Sequence, residues 1–105
     1  MAMHNLRPAS KLYTLTGSEL SKQLATSAII IRGVLVTGGG SSAVIRLINS
    51  RVGSGEEGPG PGNYIVAANA GESTPSLIQH NFDQGLYIEL EQGGAQNGEA
   101  TVFYD

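Results

Sequence analysis

The sequence predicts an all-β domain, an antiparallel β-sandwich or jelly-roll-like fold of six to seven strands. Three observations carry that reading. The 105-residue chain holds 15 glycines, about twice ordinary usage, and they fall between apolar segments. Those segments are short and rich in Val, Ile and Tyr, the residues that suit a pleated, half-buried backbone. Turn signals recur about every eight to twelve residues, as in small sandwiches. There is no internal repeat at a fixed period.

Residues 1–10 show no apolar period and carry Pro8, which predicts an N-terminal arm ahead of a single domain spanning 11–105. Residues 11–16 (KLYTLT) read as a short strand stopped by Gly17. Residues 18–25 (SELSKQLA) set Leu20 and Leu24 four apart. One or two helical turns fit that spacing, and so does an extended segment, because a helix this short does not stand without packing.

Residues 26–37 (TSAIIIRGVLVT) give the strongest strand signal. Both faces are apolar, so the strand is either central or meets another subunit with its outer face. Gly33 in its middle suggests a bulge or the close approach of a second backbone. Gly38, Gly39 and Gly40 with Ser41 and Ser42 make a turn, and residues 43–50 (AVIRLINS) return from it. Together the two strands read as a hairpin. In the second strand Ala43, Ile45 and Leu47 share one face, and Val44, Arg46 and Ile48 the other.

Residues 51–63 (RVGSGEEGPGPGN) hold five glycines and two prolines. Such a segment reads as an exposed, mobile loop. Residues 64–68 (YIVAA) resume the strand pattern, and a turn with Gly71 follows. Residues 76–82 (SLIQHNF) form the next strand, with Pro75 at its start, where a missing N–H is tolerated. After a turn at 83–85, residues 86–91 (LYIELE) alternate cleanly, with Leu86, Ile88 and Leu90 inward. A loop with the turn pair Asn97-Gly98 leads to the closing strand 99–104 (EATVFY). There Ala100, Val102 and Tyr104 share one face, and Thr101 and Phe103 the other.

The same residues narrow the chemistry. With no cysteine, disulfides, thiolate metal sites and a Cys nucleophile are excluded. The net charge is −3 and the six Lys and Arg are scattered, so no basic run exists to track a nucleic-acid backbone. No apolar run approaches the ~20 residues of a membrane helix, and the first residues lack a secretory pattern. A mature soluble protein made in a cytoplasm is expected. His4 and His80 lack partners at metal-ligand spacing. Ser76, His80 and Asp83 lie near one another in sequence, but alternate strand residues face opposite ways, which argues against a triad. Glu56, Glu57, Glu89 and Glu91 read as solvated carboxylates, and no Trp is present to line a sugar cleft. Gly38 to Gly40 lack the Lys and helix of a phosphate loop. No catalytic, cofactor or metal site is expected, and the chain is read as a non-enzyme.

What remains is surface. Ile30, Val34, Val36, Val44 and Ile48 are apolar residues left over on second faces, with Arg32 and Arg46 among them. Contiguous exposed apolar area marks interfaces, and Arg is favoured there. Ile30, Arg32, Val34, Val44, Arg46 and Ile48 are therefore the candidate subunit contacts. The plainer alternative is that a second sheet covers them. The segment from His4 to Tyr13, with His4, Arg7, Leu12 and Tyr13, is the candidate arm that orders on a partner.

Residues 30–37 (IIRGVLVT), the glycine turn and 43–47 form one half of a resemblance. Residues 82–90 (FDQGLYIEL), a polar loop and 99–104 (EATVFY) form the other. Over roughly residues 28–104 the chain resembles the small, β-rich, cysteine-free virion structural proteins of tailed bacteriophages. It departs from them at 53–62 and in its N-terminal segment. The resemblance implies a capsid decoration or cement protein bound to the major capsid protein or other virion proteins. It also implies a homo-oligomer, with a trimer favoured, located in the virion after synthesis in the host bacterium. No cofactor, nucleic acid or membrane enters that picture. The alternatives are a neck, tail or fibre-associated virion component, or a small carbohydrate- or surface-binding module. The latter would use Tyr64 and Tyr87 beside Asn63 and Gln79.

Overall fold

The computed structural model describes residues 11–52, 63–94 and 97–105. They form eight strands: β1 (Lys11–Leu15), β2 (Ser21–Ala25), β3 (Ile29–Thr37), β4 (Ala43–Ile48), β5 (Tyr64–Ala68), β6 (Ser73–Phe82), β7 (Leu86–Gln92) and β8 (Glu99–Tyr104). The first sheet has the order β1-β8-β3-β6 and the second β2-β7-β4-β5. All pairings are antiparallel. β1 lies beside β8, β2 beside β7, β3 beside β6 and β4 beside β5. The chain is thus folded double and rolled into two packed sheets, which is the jelly roll.

The all-β sandwich is as the sequence predicts, with eight strands in place of six to seven. The added strand is β2, in the stretch where helical turns and an extended chain both fitted. Pairing decides it: Ser21 stands opposite Glu89, Lys22 opposite Ile88 and Gln23 opposite Tyr87. The Leu90 N–H also donates to the Leu20 carbonyl at 2.7 Å. A polar edge strand has little pattern of its own and is held by its neighbour.

The expected hairpin between β3 and β4 is absent. β3 belongs to the first sheet and β4 to the second, so the glycine turn carries the chain across the sandwich. Among the described strands only β4 and β5 are both consecutive and paired. The crossing is tight. A Cβ on Gly38 would lie 2.2 Å from the Asn69 carbonyl oxygen, which only glycine avoids. The Gly40 N–H is held by the Asn97 side-chain carbonyl at 2.8 Å.

The core lies between the sheets. Leu15, Ile31, Val36, Phe82 and Val102 come from the first, and Ile45, Leu47, Leu86 and Ile88 from the second, all fully buried. The faces of β4, β7 and β8 follow the alternation read from sequence. β3 breaks it. Ile31 pairs with Tyr104 and Gly33 with Phe103, so Arg32 is an extra residue on β3 relative to β8. This bulge lets Ile29 and Ile31 face the core before it and Val34 and Val36 after it.

β6 begins earlier than expected, so Pro75 lies inside it, opposite Leu35. Among the described residues β6 has a neighbour on one side only, and an edge strand can hold a residue with no N–H to donate. At the far end Gln23 Nε2 donates to the carbonyls of Ala25, Ser50 and Leu86 at 2.8, 2.8 and 3.2 Å. These bonds tie the irregular end of β2 to β7 and to the chain beyond β4. The loop expected at 51–63 falls largely outside the described residues, as does the arm at 1–10.

Candidate interaction face

On the outer side of the first sheet, one row of residues crosses all four strands in register. Leu12 stands opposite Phe103, Phe103 opposite Gly33, and Gly33 opposite Leu77. The next row is Thr14, Thr101, Leu35 and Pro75. Leu77 is 91% exposed and Leu12 60%. Between them is a shallow depression of about 360 Å³ lined mainly by Gly33, Leu35, Pro75, Leu77 and Phe103. Gly33 makes its floor, since it adds no side chain, and a Cβ there would come within 3.2 Å of the Ser76 carbonyl oxygen.

The face has polar borders. At one end Arg32 donates to the Asp105 carboxylate at 3.1 Å, with Ile30 beside it, 45% exposed. At the other, the hydroxyls of Thr37 and Ser73 bond at 3.0 Å. Both side chains stay 24% exposed, and an ion pair that solvent still screens is worth about 1 kcal/mol or less. An apolar centre with a polar rim is the usual anatomy of a protein interface.

The outer side of the second sheet is different. Arg46 donates to Glu91 at 2.8 Å and stands directly opposite Glu89 on β7. Val44, Ile48 and Tyr87 are half-buried around that charged group.

The six contact residues expected from the sequence do not form one surface. Ile30 and Arg32 lie on the outer side of the first sheet. Val44, Arg46 and Ile48 lie on the outer side of the second, across the sandwich. Val34 is in the core at 2% exposure, because the bulge at Arg32 reverses the alternation that would have turned it outward. Leu12 and Tyr13 belong to β1, paired with Phe103 and Val102, rather than to an arm. His4 and Arg7 lie outside the described residues. Leu77, Phe103, Leu35 and Pro75 were missed as surface residues. Leu77 had a signal, as the large aliphatic member of the set Pro75, Leu77, Gln79, Asn81 that alternation places opposite Ile78 and Phe82.

Tyr13 faces inward at the open side between β1 and β2. Its hydroxyl donates to the Glu19 carboxylate, and the Lys22 ammonium stands 5.5 Å from its ring centroid. The bond to Glu19 raises the Tyr13 pKa above its ordinary value, since ionisation would set a phenolate against a carboxylate.

On the opposite open side, between β5 and β6, Tyr64, His80 and Phe82 pack together. The Tyr64–His80 and His80–Phe82 ring centroids are 5.2 and 5.0 Å apart, edge to face. Tyr64 is therefore turned toward the interior and away from the sugar-stacking role suggested for it. Ser76 and His80 both face inward but are four residues apart along β6, about 13 Å in an extended strand. The Asp83 carboxylate is bound by Asn49 at 2.9 Å. The three do not form a triad. Among the described residues no group of three His, Cys, Asp or Glu stands together to hold a metal ion. Among the same residues no helix is long and apolar enough to cross a membrane. No protein-family model, curated protein or solved structure matches the chain.

Proposed function

We propose that the chain is a non-enzymatic structural protein of a tailed-phage virion. It decorates or cements the capsid by laying the outer face of its first sheet on the major capsid protein. The observation that carries this is the in-register row Leu12, Phe103, Gly33 and Leu77, an apolar strip left in solvent with a depression at its centre. Exposed apolar area of this kind is a docking surface. Support also comes from the jelly-roll topology, which capsid domains share with lectins and cupins, and from the resemblance of residues 28–104 to virion proteins. Each contact is small, and repetition over a lattice of identical sites turns weak contacts into firm attachment. Quantitative mass spectrometry of purified virions tests the proposal. Hundreds of copies per particle support decoration, a handful places the protein at the neck or tail, and none overturns it. Adding the protein back to particles stripped of it should restore binding, and L77K should not bind.

A further inference from the structure

A second surface lies at the edge of the other sheet. A jelly roll built of two open sheets has four edge strands, here β1, β6, β2 and β5. Each presents a row of backbone groups to any extended chain, and proteins blunt such edges with Lys, Pro or irregular pairing. Three of these edges are blunted. β1 opens with Lys11. β2 carries Lys22 and a register shift between Gln23 and Ala25. β6 carries Pro75 and lies beside the shift at Ile31 and Gly33. β5 (YIVAA) has no charge, no proline and no register shift against β4, and its Ile65 is 67% exposed.

We infer that β5 is the self-association edge, pairing antiparallel with β5 of a second copy about a two-fold axis through Val66. The sequence of the strand fits itself in that register. On the outer face Ile65 stands opposite the partner's Ala67, and on the inner face Tyr64 stands opposite the partner's Ala68. A large side chain meets a small one at each place, no like charges meet, and Val66 faces its own copy. Cross-strand pairs of this kind are the unit of sheet stabilisation. A two-fold contact is self-complementary and closes at two copies. The second sheets then join into one of eight strands, and the apolar face of each first sheet stays free. The inference therefore does not depend on what that face binds.

Sedimentation velocity of the full chain over a wide concentration series tests it. The expected species at high concentration has twice the chain mass of 10.9 kDa. A67K, at an exposed position, should keep the circular dichroism of the fold and weaken association by about tenfold or more. L77K should leave association unchanged. The chain has no cysteine, so I65C and A67C supply a direct check. Directly opposed residues come within disulfide reach, so the two variants mixed should cross-link under mild oxidation and neither should alone. A chain that stays monomeric, a dimer that survives A67K but not L77K, or a mixture that fails to cross-link would overturn it.

Discussion

Gly85 shows how a single residue fixes the position of its neighbours. Its φ is +149°, and a Cβ there would lie 2.6 Å from the Ala25 carbonyl oxygen and 3.0 Å from that of Ser50. The β6–β7 turn passes so close to the ends of β2 and β4 that no side chain fits. G85A should cost about 1–3 kcal/mol, read as a fall in the denaturation midpoint with an unchanged m-value. Tyr13 supplies a second prediction at this scale. Its pKa is raised in the folded state by the bond to Glu19. A group that holds its proton more tightly when folded stabilises the fold below its unfolded value of 10.0. That contribution is lost as pH rises through the raised folded value. Wild type should therefore lose stability on the alkaline side more steeply than Y13F, which cannot ionise. Chemical denaturation at a series of alkaline pH values would show it, and parallel curves would refute it.

The strands differ in how far sequence alone could describe them. β4, β7 and β8 alternate without interruption, so their inward and outward faces follow from the period of two. β3 does not, because the extra residue at Arg32 shifts the phase midway. A bulge leaves only a glycine as its trace, which marks a place without saying which residues turn. The same cause turns Val34 outward in any reading by strict alternation, whereas Leu77 lies on β6, which alternates without interruption, and its exposed place is legible there. A pair of substitutions checks this at the level of the element. V34D buries a charge at a 2%-exposed site and should abolish folding. L77D, at 91% exposure, should change stability by about 0.5 kcal/mol or less while removing attachment to particles. Thermal unfolding of both proteins distinguishes the two sites. If V34D folds and L77D does not, the assignment of faces is reversed.

At the scale of the whole molecule, the pairing scheme was out of reach of a reading that works outward from each turn. Short loops suggest neighbouring strands, and the glycine turn after β3 looked like a hairpin for that reason. The jelly roll uses its short connections to change sheets and leaves pairing to strands distant in sequence, so β1 at one end of the chain lies beside β8 at the other. Two consequences follow for folding. Distant pairings must close large loops before they are rewarded, and all-β domains of this kind fold in about milliseconds to seconds. In addition, among the described residues β8 is the only sheet neighbour of β1, and it stands between β1 and β3. Removing residues 99–105 should leave β1 without a partner and open the core at Leu15, Val36 and Ile31, all fully buried in the intact chain. The truncated chain should lose its cooperative unfolding transition and the dispersed amide spectrum of a folded β-protein. A truncated chain that kept both would show that the inner strands hold the sandwich without closure of the chain ends.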